Sequence, residues 1–305
     1  MPTSSNMGGP YEMEQAQQIQ GKMLRLLIQT DIFIRHDGKM NVCAIDWTRI
    51  GVEKQPDVSS MFQAMVHLPP ALYNDYLPSP TAFADEYTAQ YASAEFTNSP
   101  DRDRSKPGLE VVAIACSKVL LPNGCQEVIK IAAIDVVTCR ILMDHLVCTD
   151  GNAPVANWRS DETGLFSWYD IEQARKHGYK VFKGWSAVRA ALYKFIDKDT
   201  IVVGHNLRSD LDSLRMIHGR AVDIARVSEK RANGPLSKAQ LSLDSLCRVF
   251  PTLTLKSDPE YGRDVLMNAF AIREMGLWVI KNKDEFEKKV KQLCRDWALI
   301  MPKQA

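Results

Sequence analysis

Asp210 is the carboxylate whose neighbours give it chemical meaning, together with His205, Asn206 and Arg208 beside it. Ile201, Val202 and Val203 read as a buried strand that Gly204 ends. The chain then turns over His205-Asn206 into a helix with Leu207, Leu211 and Leu214 on its apolar side. Asp210 therefore falls in the first turns of a helix, just past the carboxyl end of a strand, where open α/β sheets bind ligands and metals. An ordinary strand-to-helix turn with a solvated Asp fits the same residues. Asp264 opens a second helix, Val265-Leu-Met-Asn-Ala. Oxygen ligands of this kind suit Mg²⁺ or Mn²⁺.

The elements that would position these groups follow from the chain in order. Residues 1–10 are small and polar, and disorder is expected there. The spacing of Met13, Ala16, Ile19 and Met23 predicts an amphipathic helix over 12–28. Ile32–Arg35 and Met40–Ala44, joined by His36-Asp37-Gly38, predict a hairpin. From Glu53 to Pro107 the chain is rich in Pro and in aromatic anchors (Tyr73, Tyr76, Phe83, Tyr87, Tyr91 and Phe96), and 98–106 reads as a charged linker. Residues 11–106 form an N-terminal extension expected to pack on a main domain or a partner.

The main domain is expected over 107–280. Leu109–Cys116 is a continuous apolar run, as a central strand requires. Glu127–Val137 and Arg140–Val147 follow as β-branched strands, completing a three-strand antiparallel meander. A helix capped by Ser186 leads into the strand before Gly204. Ala221–Ala225 reads as a short strand, Ser242 caps a helix carrying Leu243, Leu246, Cys247 and Phe250, and Val265–Val279 is a longer helix. Residues 281–305 form a terminal amphipathic helix.

The order βββαβαβαα, with Thr200–Leu214, Arg140–Val147, Val155–Gly164 and Ser242–Phe250, resembles the DEDD 3′→5′ exonucleases, and among them the Rex-type RNA exonucleases. The resemblance covers about Leu109 to Ile280. It implies an α/β ribonuclease-H-like fold, with a mixed sheet of a meander plus parallel strands flanked by helices. It also implies a reaction in which two metal ions hydrolyse RNA from its 3′ end. The family needs four carboxylates: a D-x-E pair on the first strand and one each from the second and third motifs. In one branch a His five residues before the last Asp is the base.

Residue by residue the pattern is incomplete. Ala115 stands where the family's Asp belongs and Ser117 where its Glu belongs. Asp210 fits the second motif and Asp264 the third. The base position before Asp264 falls at Pro259, which cannot act; Tyr261 is one residue out of place for the Tyr branch. Two divalent ions at about 4 Å repel by roughly 16 kcal/mol even at an effective dielectric of about 20, and two carboxylates do not offset that. The expectation is a degenerate exonuclease domain that requires no cofactor and holds at most one Mg²⁺ or Mn²⁺ on Asp210 and Asp264. It would serve as an RNA-binding or protein-complex scaffold, with His205, Asn206 and Arg208 against nucleic acid and the N-terminal extension against a partner. An active exonuclease that recruits other acids is the alternative; Asp135 and Asp144 are the acids on neighbouring strands, and Glu110 lies on the wrong face of the first.

Composition sets bounds on this. The formal net charge of +1 gives no global basic signature, although 175–231 holds thirteen basic against six acidic residues. Seven cysteines without a CxxC pair predict buried free thiols and a reducing, intracellular setting, nuclear or cytoplasmic. No apolar run reaches the length of a membrane span.

Overall fold

The computed structural model describes residues 33–34, 39–42, 45–67, 91–105, 108–258 and 262–300. The expectations for 1–10 and 12–28, the turn 36–38, the aromatics from Tyr73 to Tyr87, Pro259 and Tyr261 lie outside the described residues.

Long β-branched runs build the centre. Strands β5 (Val111–Leu120), β6 (Gln126–Asp135) and β7 (Ile141–Val147) form the antiparallel meander, and almost every β6 residue is buried. Strand β9 (Ile201–Gly204) joins the other side of β5 in parallel, and β11 (Ala221–Asp223) joins β9 in parallel. A two-residue strand, β8 (Val181–Phe182), closes the far edge beside β7. The sheet order is β11-β9-β5-β6-β7-β8. This mixed six-stranded α/β sheet is the ribonuclease-H-like arrangement expected from the sequence. Asp135 belongs to its scaffold: its carboxylate accepts from Val137 N and Thr138 Oγ1, pinning the β6–β7 turn, which passes through Cys139 at a φ of 66°.

Alternation of side chains sends odd and even residues of β5 to opposite faces. Val111, Ala113 and Ala115 join a core under helix α8 (Val265–Lys281), and Val112 and Ile114 join another under α4 (Gly184–Leu192) and α5 (Leu207–Ser213). The expected cap at Ser186 is corrected: Gly184, at a φ of 83°, turns the chain out of β8 and starts α4 two residues earlier. Ser242 does cap its helix, α7 (Leu243–Val249), accepting from Ser245 N. The terminal helix is α9 (Lys283–Ile300), and it packs through Phe286 and Val290.

The described part of the N-terminal extension is built into the main core. Strands β1 (Phe33–Ile34), β2 (Lys39–Val42) and β3 (Ile45–Thr48) make a small antiparallel sheet. Trp47, wholly buried, stacks on Phe270 of α8 with ring centroids 5.3 Å apart. Phe62 of α1 (Gln55–Gln63) packs against the same helix at Gly276. Arg273, also wholly buried, ties the two parts by donating to Thr48 O and Val136 O, each at 2.7 Å. Further on, β4 (Thr97–Asn98) pairs with β10 (Met216–Ile217), and Arg102 binds Asp197 at 3.0 Å, so the start of the expected linker, residues 98–102, is held against the fold.

Candidate active-site cleft

Strand β9 pairs with β5 only as far as Ala113–Val203, and β5 runs on with β6 alone. That mismatch opens a crevice of about 530 Å³ past the carboxyl end of β9, where open α/β sheets bind ligands. Its wall is made by the start of α5, the loop into α2 (Ser160–Thr163), α7 and the first turns of α8. The α2 loop closes on the approach to α8 so tightly that only glycine fits at 262: a Cβ there would lie 2.5 Å from Gly164 N and 2.6 Å from Glu162 O, at a φ of 69°.

Asp210 lies in this cleft, as the second motif requires, and is 3% exposed. Its partner is Lys118, whose Nζ donates to Oδ1. Lys118 is itself buried, and a β-bulge between Ser117 and Lys118 interrupts the alternation of β5 just before its side chain reaches Asp210. Burial pushes the Asp210 carboxyl above its ordinary range, while the Lys118 ammonium and His205 pull against that rise. Burial beside Asp210 likewise pushes the Cys116 thiol well up, so it is not a nucleophile at neutral pH.

Asp264 does not join Asp210. It is the N-cap of α8, where its carboxylate accepts from Leu266 N at 2.9 Å, and its charge is felt by Asp144 of β7. The α8 residue that reaches the cleft is Asn268, one turn later. Its Oδ1 is buried with no hydrogen-bond partner. Asn268, and not Asp264, is therefore the α8 side chain that the structure brings to the cleft. Residues four apart share a helix face, so spacing alone left the two positions equivalent. Five residues before Asn268 stands Arg263, not Pro259, and its guanidinium clamps Asp244 of α7 through two bonds at 2.7 and 2.5 Å.

The nucleic-acid candidates divide. His205 and Asn206 line the cleft. His205 Nε2 lies 2.6 Å from Leu241 O, and Asn206 takes the left-handed φ of 52° that starts α5. Arg208 is not in the wall: it lies along α5 with Nε donating to both oxygens of Asp212 at 2.9 and 3.0 Å. The amino end of α5 is already neutralised, because Asp223 accepts from Asn206 N and Leu207 N. Charge at the cleft is mixed: Lys118, Arg159 and Arg263 stand against Asp161, Glu162, Asp210 and Asp244. Six of the thirteen basic residues over 175–231, namely Arg175, Lys198, Arg208, Arg215, Arg226 and Arg231, pair with a carboxylate.

Asp144 is the acid nearest to a replacement ligand. Register places it in one row with Ala132 and Ala115. Burial first, and then the Asp264 charge, push its carboxyl up to about 7, with Lys130 opposing. The Asp210 position does not suit a divalent ion, although Asp161, Glu162 and Asp244 also line the cleft. Ala115, Ser117 and Asn268 supply no charge, and an ion about 4 Å from the Lys118 ammonium meets roughly 8 kcal/mol of repulsion at an effective dielectric of about 20. Among the described residues, no three His, Cys, Asp or Glu side chains gather at metal-binding spacing.

Lys118, Asn268 and Arg263 were missed in the sequence. Lys118 did carry a signal: it is the one charge in an otherwise apolar strand, and a buried lysine needs an acid.

In sequence the chain is similar to RNA-degrading nucleases, which makes this an exonuclease-like domain. The chain is 32% identical over 143 residues to small RNA degrading nuclease 2 of Arabidopsis thaliana, covering 46% of this chain and 28% of the relative. It is 26% identical over 198 residues to small RNA degrading nuclease 3 of the same plant, covering 64% and 23%. The chain thus spans about a quarter of the length of these curated relatives. A solved structure of the Neurospora crassa Pan2 catalytic unit (protease and nuclease domain) aligns at a TM-score of 0.49 and 12% identity, covering 83% of this chain and 37% of that one. No protein-family model matches the chain. Among the described residues, no helix is long and apolar enough to cross a membrane.

Proposed function

We propose that this chain is a catalytically degenerate exonuclease-like domain of the DEDD type, nearest in motif to the Rex branch, which binds without cutting. One observation carries the reading: Ala115, Ser117 and Asn268 line the cleft at three of the four places where the resemblance to the DEDD exonucleases calls for a carboxylate. Two-metal hydrolysis needs ligands that offset the ions' mutual repulsion, and Asp210 alone does not supply them. The place of the general base holds Arg263, an obligate cation committed to Asp244. RNA is the ligand class that the relatives' names support, and His205 and Asn206 are the side chains that would meet it.

The test is incubation of the purified protein with 5′-labelled single-stranded RNA and Mn²⁺, followed on a denaturing gel, with a mobility-shift titration beside it. Intact RNA with a salt-sensitive shift is the expected result. Shortening that disappears in Asp210→Ala overturns the reading in favour of an active exonuclease. Intact RNA with no shift removes RNA as the ligand and leaves a protein-complex scaffold.

A further inference from the structure

We propose that Lys118 is the resident cation of the cleft: its ammonium holds the place at Asp210 that a divalent ion would need, so whatever the cleft binds, it binds without metal. This rests on the reading of the cleft as exonuclease-like, but not on its failure to cut RNA.

Three observations meet here. Lys118 and Asp210 are both buried, so solvent neither screens their attraction nor offers either an alternative partner. Lys118 stands on the central strand β5 at the β-bulge between Ser117 and Lys118, and β5 pairs with β6 on both sides of that bulge, which fixes the place from which the side chain reaches Asp210. The remaining groups add little charge that would attract a second cation: Asn268 and Ser117 are neutral, Asp244 is clamped by Arg263 and Glu162 pairs with Arg159, which leaves Asp161 of the α2 loop as the other acid of the cleft. The pair satisfies the carboxylate as a metal would, but with one positive charge and with no open coordination position for water or substrate. The unpartnered Asn268 Oδ1 then invites a hydrogen-bond donor from the ligand rather than an ion.

The experiment measures Mn²⁺ binding directly, by electron paramagnetic resonance of the free ion and by calorimetry, on the full chain. Four proteins are compared: wild type, Asp210→Asn, Lys118→Met, and Lys118→Met with Asp210→Asn. The expected result is that wild type and Asp210→Asn bind Mn²⁺ equally poorly. Lys118→Met should bind it at least about tenfold more tightly, and the double variant should lose that gain. Mn²⁺ binding by wild type that Asp210→Asn abolishes overturns the proposal, as does a folded Lys118→Met with no gain. Lys118→Gln, which keeps a hydrogen bond to Asp210, replaces Lys118→Met if that variant does not fold. Failure here stays separate from failure of the proposed function. RNA cleavage by a wild type that takes up no Mn²⁺ at Asp210 overturns the function alone, and Asp210-dependent Mn²⁺ binding without cleavage overturns the resident cation alone.

Discussion

Lys118 Nζ donates to Asp210 Oδ1 across the end of β5, joining the central strand to the helix that follows β9. The pair is buried on both sides, and its strength depends on both members being present. Removing one leaves an uncompensated buried charge, a change that costs about 3–5 kcal/mol in comparable pairs. Lys118→Met should therefore lower the urea midpoint sharply, whereas Lys118→Met with Asp210→Met should recover most of the loss. A double variant as unstable as the single one would show that the ion pair itself, and not the abandoned charge, holds the cleft.

Asp144 gives a pH signature. Its carboxyl is held at about 7, above the 3.8 it has when unfolded, by burial and the Asp264 charge. A carboxylate raised in the folded state binds more protons there than in the unfolded chain between about pH 4 and pH 7, so its contribution to stability falls as pH rises through that window. Asp144→Asn should remove this slope. The stability difference between Asp144→Asn and wild type, measured by urea unfolding, should be more favourable to the variant at pH 8 than at pH 5. An unchanged difference would mean that Asp144 ionises freely.

Trp47 tests whether the N-terminal sheet is part of the domain. It is wholly buried, stacks on Phe270, and donates from Nε1 to Val42 O at 3.0 Å. Trp47→Ala should destabilise the whole domain by about 3–5 kcal/mol in a single unfolding transition. A separate, earlier transition confined to the N-terminal segment would show that the sheet is an independent unit.

Gly276 tests the seat of α1. A Cβ there would meet the Phe62 ring at 2.8 Å, in the middle of α8. Overpacking of this kind costs about 1–3 kcal/mol. Gly276→Ala should lower Tm, and Phe62→Leu in the same chain should restore part of the loss by shortening the side chain that is struck; equal damage in both would place the strain elsewhere.

Much of the fold was legible because strands and caps are local. The β-branched runs over β5, β6 and β7, the break at Gly204, and the Ser242 cap each follow from a few consecutive residues. That Ala115 and Ser117 stand where the resembled family has its D-x-E pair was equally plain, because residues two apart on a strand share one face. Asp210 was correctly taken to the cleft by the turn that precedes its helix.

Tertiary structure alone decided the rest. Asp264 and Asn268 sit one turn apart on one helix face, and only the placement of α8 shows that the first caps the helix while the second reaches the cleft. A β-bulge between Ser117 and Lys118 breaks the alternation of β5 at this point, which hid the connection of Lys118 with the site. A lysine's long stem and the position of α5, ninety-two residues further along the chain, bring its charge to Asp210. Trp47, read as part of an extension, became core because Phe270, far away in sequence, lies against it. Sequence periodicity reports which face a residue takes, while the partner on that face is set by packing between distant elements.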